Sequence, residues 1–127
     1  MSKTYKAYLI NAEARRIDEV KFSDYKDIQN LIGCERFDIA AYLNDNDALY
    51  VDDEGYLNSN VKKGFYYCQQ FFAGNGLFVG ADEEGESQDV AMSELDVAGS
   101  INFPPPEFEI DDAMRDHAMN SWSVTEW

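Results

Sequence analysis

No Lys or Arg occurs between Phe65 and Met114, a stretch of fifty residues that holds eleven Asp or Glu. Basic residues are missing where DNA, RNA or an anionic membrane would need them, and a pI near 4.1 extends that exclusion to the whole chain. Long apolar runs are missing as well. No 18 consecutive residues could form a membrane span, and the opening Met1-Ser2-Lys3-Thr4-Tyr5-Lys6 leads into no signal-like apolar core. The expectation is a soluble protein of the cytoplasm. Cysteine is scarce: Cys34 and Cys68 lie far apart with no Cys-x-x-Cys, so two reduced, buried thiols are expected. Neither Gly-x-Gly-x-x-Gly nor Gly-x-x-x-x-Gly-Lys-Ser/Thr occurs, so the sequence offers no phosphate cradle.

What is present argues for a folded domain. Hydrophobic residues make up 45% of the 127 and aromatic residues 14%, which opposes disorder despite the charge. A single domain of this length buries about two-thirds of its unfolded surface. The charge is unevenly spread. Residues 1–63 carry twelve acids and nine bases, a net of −3, whereas residues 64–127 carry thirteen acids and one base, a net of −12. Like charge opposes compaction, so a split of this kind points to a negative face that meets something positive. The competing reading is a solvated face that keeps a small protein soluble.

Along the chain, Tyr5, Ala7 and Leu9 alternate with Lys6, Tyr8 and Ile10 as a strand would, residues 11–15 turn, and Asp18, Val20 and Phe22 resume the period of two. Ser23 or Asp24 can cap a helix whose Tyr25, Ile28, Leu31 and Ile32 share one face, with Gly33 as its left-handed stop. Phe37, Ile39, Ala41 and Leu43 alternate again. Asn44-Asp45-Asn46-Asp47 then reads as a polar turn and residues 48–51 as the returning strand of a hairpin. Residues 65–72 form an apolar, aromatic run, and Gly74-Asn75-Gly76 reads as a hairpin turn into Leu77-Phe78-Val79. Ser93 can cap a short helical turn, and residues 100–103 suit a last short strand. Pro104-Pro105-Pro106 ends the core as a stiff linker. Ile110, Met114, Ala118 and Trp122, four apart, suggest a C-terminal amphipathic helix from about residue 111 to 122.

Chemistry-bearing constellations are sparse. His117 stands alone on that helix with no Ser or Cys near it in sequence, so no catalytic residue is assigned. An EF-hand loop starting at Asp45 would need an oxygen ligand at Leu49 and a glycine at Tyr50, so no metal site is assigned there, and no cofactor is expected. The carboxylates are candidates for contact. Asp52, Asp53 and Glu54 occupy one acidic turn; Asp82, Glu83, Glu84, Glu86 and Asp89 occupy another. Carboxylates set along a rigid surface can take the place of the phosphates that a DNA-binding protein recognises. Trp122, beyond the proline linker, adds an aromatic anchor of the kind interfaces favour.

Tyr5-Lys6-Ala7-Tyr8-Leu9-Ile10-Asn11, the helix ending at Gly33 followed by Cys34-Glu35-Arg36-Phe37, the segment 49–55, and Ala73-Gly74-Asn75-Gly76-Leu77 running to Asp82-Glu83-Glu84-Gly85 form a recurrent series. Over residues 5–103 this order resembles a family of small domains of unknown function, family 3846, carried by bacteriophages, plasmids and their hosts. The resemblance implies an accessory protein of a mobile element, working inside a bacterial cell. It carries no active site to transfer.

These readings lead to an α+β expectation: a mainly antiparallel sheet of five to seven short strands with the helix of residues 23–32 packed on one face. The core covers residues 1–103, and the proline linker and C-terminal helix cover residues 104–127. The expected function is non-enzymatic binding, through the acidic surface, to a basic host protein of defence or nucleic-acid metabolism. Inhibition of that protein, as a DNA mimic, is the form expected, with no direct nucleic-acid or membrane partner. The alternative is a small-ligand or nucleotide-binding module that uses residues 65–72 as a pocket wall.

Overall fold

The first hairpin forms where the alternation places it. In the computed structural model, which describes residues 3–34, 36–43, 47–52, 61–82, 84 and 86–111, β1 (Tyr5–Asn11) pairs antiparallel with β2 (Arg16–Phe22), from Tyr5 opposite Phe22 to Asn11 opposite Arg16. The Asn11 side chain accepts the Ala14 N–H at 3.1 Å, and Arg15 takes a left-handed φ of 54° to close the turn. Helix α1 (Tyr25–Ile32) follows. Asp24 is its N-cap, accepting the Asp27 N–H, and Gly33 stops it at φ 84°, a conformation open to glycine at little cost. The hairpin of β3 (Phe37–Tyr42) and β4 (Asp47–Asp52) also forms, with a bulge between Ile39 and Ala41.

The second half departs from expectation. Residues 65–72 do not make one strand but fold on themselves as β5 (Gly64–Tyr67) and β6 (Gln70–Ala73), joined by Cys68 and Gln69 at φ 50° and 69°. Two successive positive φ values describe a primed turn, made here without the usual Asn-Gly. Cys68 is exposed in that turn and Cys34, after α1, is half-buried; neither is in a disulfide, and neither is the buried thiol expected. Gly74-Asn75-Gly76 is not a hairpin turn either. It carries the chain from one sheet to another, into β7 (Gly76–Ala81), while the Asn75 side chain accepts the Ala12 N–H at 2.9 Å. The chain continues through β8 (Ser87–Gln88), α2 (Glu94–Ser100) and β9 (Ile101–Asn102). Ser93 caps α2 reciprocally with Asp96.

All strand pairs are antiparallel, and the described residues form two sheets instead of one. The larger runs β2-β1-β7-β4-β3, with β8 added to the end of β7; the smaller runs β6-β5-β9. Alpha-helix α1 lies on one face of the large sheet, where Ile28 and Ile32 meet Ala7, Phe22, Ala48, Leu77 and Val79. On the other face Tyr8, Ile10, Leu49, Val51 and Phe78 meet Phe65 of the small sheet, Val97 of α2 and Ile101 of β9. Covering both faces explains why β7 is apolar at successive positions and not alternating. Gly76 lies where a Cβ would stand 2.6 Å from the Phe65 ring, so the two sheets approach here as only glycine permits.

The segment after β9 is seated on the core. Ile110 is buried and donates its N–H to Lys62 O at 2.8 Å, and Phe108 packs edge-on against Phe71 at 5.6 Å. The Lys63 ammonium donates to the carbonyls of Pro106 and Phe108, each at 2.7 Å, and the Arg15 Nε–H donates to Pro104 O at 3.1 Å. The C-terminal helix expected beyond Asp111 lies outside the described residues.

Candidate functional site

The β7–β8 turn and the residue after β8 carry Asp82, Glu84, Glu86 and Asp89 of the acidic residues that the sequence singled out, and give them different tasks. Asp82 donates its N–H to Glu86 O at 2.8 Å, and its Oδ1 accepts the N–H groups of Glu84 and Glu86, each at 2.9 Å. That carboxylate builds the turn. Glu84 and Glu86 are exposed and free to point outward. Asp89 is exposed, but its Oδ1 accepts the Lys6 N–H at 2.8 Å, next to the Val90 N–H donated to Lys6 O at 3.0 Å. It fastens the strand after the turn to the start of β1. Glu94, Leu95 and Asp96 follow in the first turn of α2, all exposed, Leu95 at 84%.

Asp52 does not join this group. It lies opposite Phe37, beyond Val51, which pairs with Gly76 at the start of β7, whereas Asp82 follows the end of the same strand. Five residue steps of β-strand put roughly 16 Å between the two ends of β7. The other predicted contacts, Asp53, Glu54, Glu83 and Trp122, lie outside the described residues, as does His117.

Asp47, which the sequence places in a polar turn, is fully buried at the start of β4. Its two carboxylate oxygens accept the N–H groups of Ala91 and Met92, each at 2.9 Å, so it is a structural anchor for the segment joining β8 to α2. Its partners lie more than forty residues away in sequence, and no local spacing marks it.

A second feature went unread in the sequence. Tyr25, assigned to the buried face of α1, is 61% exposed, and Tyr42 at the end of β3 is 79% exposed. Tyr25 meets Phe37 with ring centroids 5.3 Å apart, and Phe37 meets Tyr50 at 5.1 Å. Burial raises the Tyr50 hydroxyl above its ordinary pKa, with a further contribution from nearby Tyr42. These four rings line the part of the α1 face nearest the β3 edge. The signal lay in tyrosines recurring across a helix and a hairpin, whose adjacency only the tertiary structure supplies.

The run of residues 65–72 is spent on packing. Phe65 is buried against Phe72, Tyr67 lies edge-on to Phe78, and Phe71 lies edge-on to Tyr66 and Phe108. A cleft of about 60 Å³ lies elsewhere, lined by Ala12, Glu13, Arg15, Lys63, Gly64 and the three prolines. No group of three or more His, Cys, Asp or Glu suited to a metal occurs among the described residues. No helix among them is long and apolar enough to cross a membrane.

The family model described as a domain of unknown function, DUF3846, matches residues 5–97, and the chain belongs to that family. The match takes in the whole large sheet, α1, and the β5–β6 hairpin, and leaves β9 and the segment seated after it outside. No curated protein and no solved structure matches the chain.

Proposed function

We propose that this protein is a non-catalytic binding module that docks a basic protein partner through the carboxylates of the β7–β8 turn and the first turn of α2. One observation carries the reading. Glu84, Glu86, Glu94 and Asp96 stand exposed within a stretch, residues 64–111, that contains no Lys or Arg, and among the described residues none of the four forms an ion pair. Carboxylates left this way repel one another in the free protein and gain from an incoming cation.

The family resemblance supplies the context. The protein is read as an accessory factor of a phage or other mobile element, acting in the cytoplasm of a bacterial host. Its partner is then a defence or nucleic-acid-binding protein that it inhibits, with carboxylates standing where DNA phosphates would stand. A groove built for phosphates takes such a surface because the Coulomb term is the same. Encounter is accelerated by attraction over a Debye length of about 8 Å.

The test is capture from bacterial lysate at low salt by the tagged protein and by its Glu83→Gln, Glu84→Gln, Glu86→Gln variant, followed by salt steps and duplex DNA as competitor. Asp82 and Asp89 are left intact because they hold the backbone. A basic protein that the unaltered chain retains, DNA displaces, and the triple variant loses would sustain the reading. Equal retention by both chains would remove it.

A further inference from the structure

The aromatic shelf and the charge of the chain together call for one kind of side chain. We infer that the shelf of Tyr25, Phe37, Tyr50 and Tyr42, on the α1 face of the large sheet, receives arginine residues of the basic partner and selects arginine over lysine. The inference rests on the reading above and adds to it the chemistry of recognition.

The shelf exists because α1 covers only part of its face. Ile28 and Ile32 sit against Ala7, Phe22, Ala48, Leu77 and Val79, over β1, β2, β4 and β7, and the helix stops at Gly33. Toward β3, Tyr25 of α1 leans on Phe37, Phe37 and Tyr50 are half-buried, and Tyr42 at the end of the strand is exposed. Ring faces stepping 5.1 and 5.3 Å apart then continue from the sheet to exposed Tyr25 on the helix. Close in sequence to these rings stand Asp24, Asp27 and Asp52 against Lys26 and Arg36, in a chain of net charge −15. Negative ring faces within a negative field attract cations. A guanidinium suits the site better than an ammonium: it is planar, weakly hydrated, stacks on an aromatic face and still directs N–H groups sideways to carboxylates.

Other occupants fit less well. Nucleobases also stack on aromatic rings, but their phosphates would enter the field of the −15 chain. Strand addition along the β3 edge meets an irregular ladder: the register breaks between Ile39 and Ala41, and the Ile39 N–H is already accepted by the Asp38 carboxylate at 2.8 Å. The occupant therefore docks through side chains.

The experiment is a fluorescence-polarisation titration of labelled nona-arginine and nona-lysine peptides, equal in charge, against the full chain. It is repeated with the Tyr25→Leu/Tyr42→Leu and Tyr25→Phe/Tyr42→Phe variants, each checked for an unchanged circular-dichroism melt. We expect nona-arginine to bind about three- to fivefold more tightly than nona-lysine. The Phe variant should keep that ratio, and the Leu variant should bring it close to one while lysine binding persists. Equal binding of the two peptides by the unaltered chain, or a preference that survives in the Leu variant, overturns the shelf and leaves the acidic surface standing. Binding of neither peptide overturns both.

Discussion

The carboxylate of Asp47 accepts the N–H of Ala91 at 2.9 Å across forty-four residues of sequence, joining the first strand position of β4 to the segment that leads into α2. Its other oxygen takes the Met92 N–H at the same distance, so both oxygens are committed inside the protein.

Replacing Asp47 with Asn should therefore destabilise the fold although it keeps the shape. An amide has one accepting oxygen, so the N–H of Ala91 or of Met92 would face an NH₂ group. An unsatisfied buried donor costs about 1–3 kcal/mol, and Asp47→Ala, which strands both, should cost more. Urea unfolding measures the order; an Asn variant as stable as the parent would mean that the two bonds are dispensable.

The two acids of the β7–β8 turn that look equivalent in sequence should separate on substitution. Asp82→Ala removes the acceptor for two turn N–H groups and should cost about 1 kcal/mol or more, whereas Glu84→Ala, at an exposed position, should leave the melting midpoint unchanged. Matching thermal melts of the two variants would contradict this division.

Glycine to alanine should act with opposite signs at two sites. At Gly76 the added Cβ would stand 2.6 Å from the Phe65 ring, an overpacking that costs about 1–3 kcal/mol. At Gly99, inside α2, nothing lies within 4 Å of the added atom, and alanine should stabilise the helix by about 0.5–1 kcal/mol. Denaturant midpoints of the two variants should fall on either side of the parent.

Alkaline stability should report on the shelf. Burial raises the Tyr50 hydroxyl above the ordinary value of 10.0, with Tyr42 adding to it. The unfolded chain then gives up that proton first, so the contribution is complete below about pH 10 and is lost as pH climbs through the folded-state value. Tyr50→Phe removes this loss. Plotted against pH, its unfolding free energy should run parallel to the parent below pH 10 and fall less steeply above. Identical slopes would mean that Tyr50 titrates alike in both states.

The seated segment after β9 should behave as part of the core. Ile110→Ala empties a buried site and should cost about 2–5 kcal/mol, and a chain ended after Asn102 should melt below one ended after Asp111. Unchanged melts in both comparisons would show the packing to be incidental.

Local punctuation was legible and long-range pairing was not. The β1–β2 turn, the Asp24 cap, the Gly33 stop and the Ser93 cap of α2 are each decided within four residues, and each lies where its residues indicate. Cys68 and Gln69 turn with positive φ although neither residue type favours it, so the fold around them imposes the bend that divides residues 65–72. Gly74-Asn75-Gly76 has hairpin chemistry, but the Asn75 carbonyl is committed to Ala12, and β7 finds its partners in β1 and β4. At the candidate site the clustering of acids was readable from composition. Which of them stand free was not, because Asp82, Asp89 and Asp47 are claimed by backbone N–H groups, two of those sets from distant segments. The tyrosine shelf was hidden for the same reason, since its rings come from three separate elements.

The position of β7 between β1 and β4 sets the order in which the molecule can be completed on the ribosome. The β1–β2 hairpin and α1 are available early, yet the inner edge of β1, and that of β4, stay open until residue 81 has emerged. At ribosomal rates of about 5–20 residues per second, the roughly 60 residues between Phe22 and Ala81 take on the order of 3–12 seconds. For that interval the nascent chain exposes Ala7, Leu9 and Ile10 beside an unpaired strand edge, the combination most prone to non-native pairing. The last strand to arrive at the centre closes both edges at once, so completion of the large sheet is a late, concerted event.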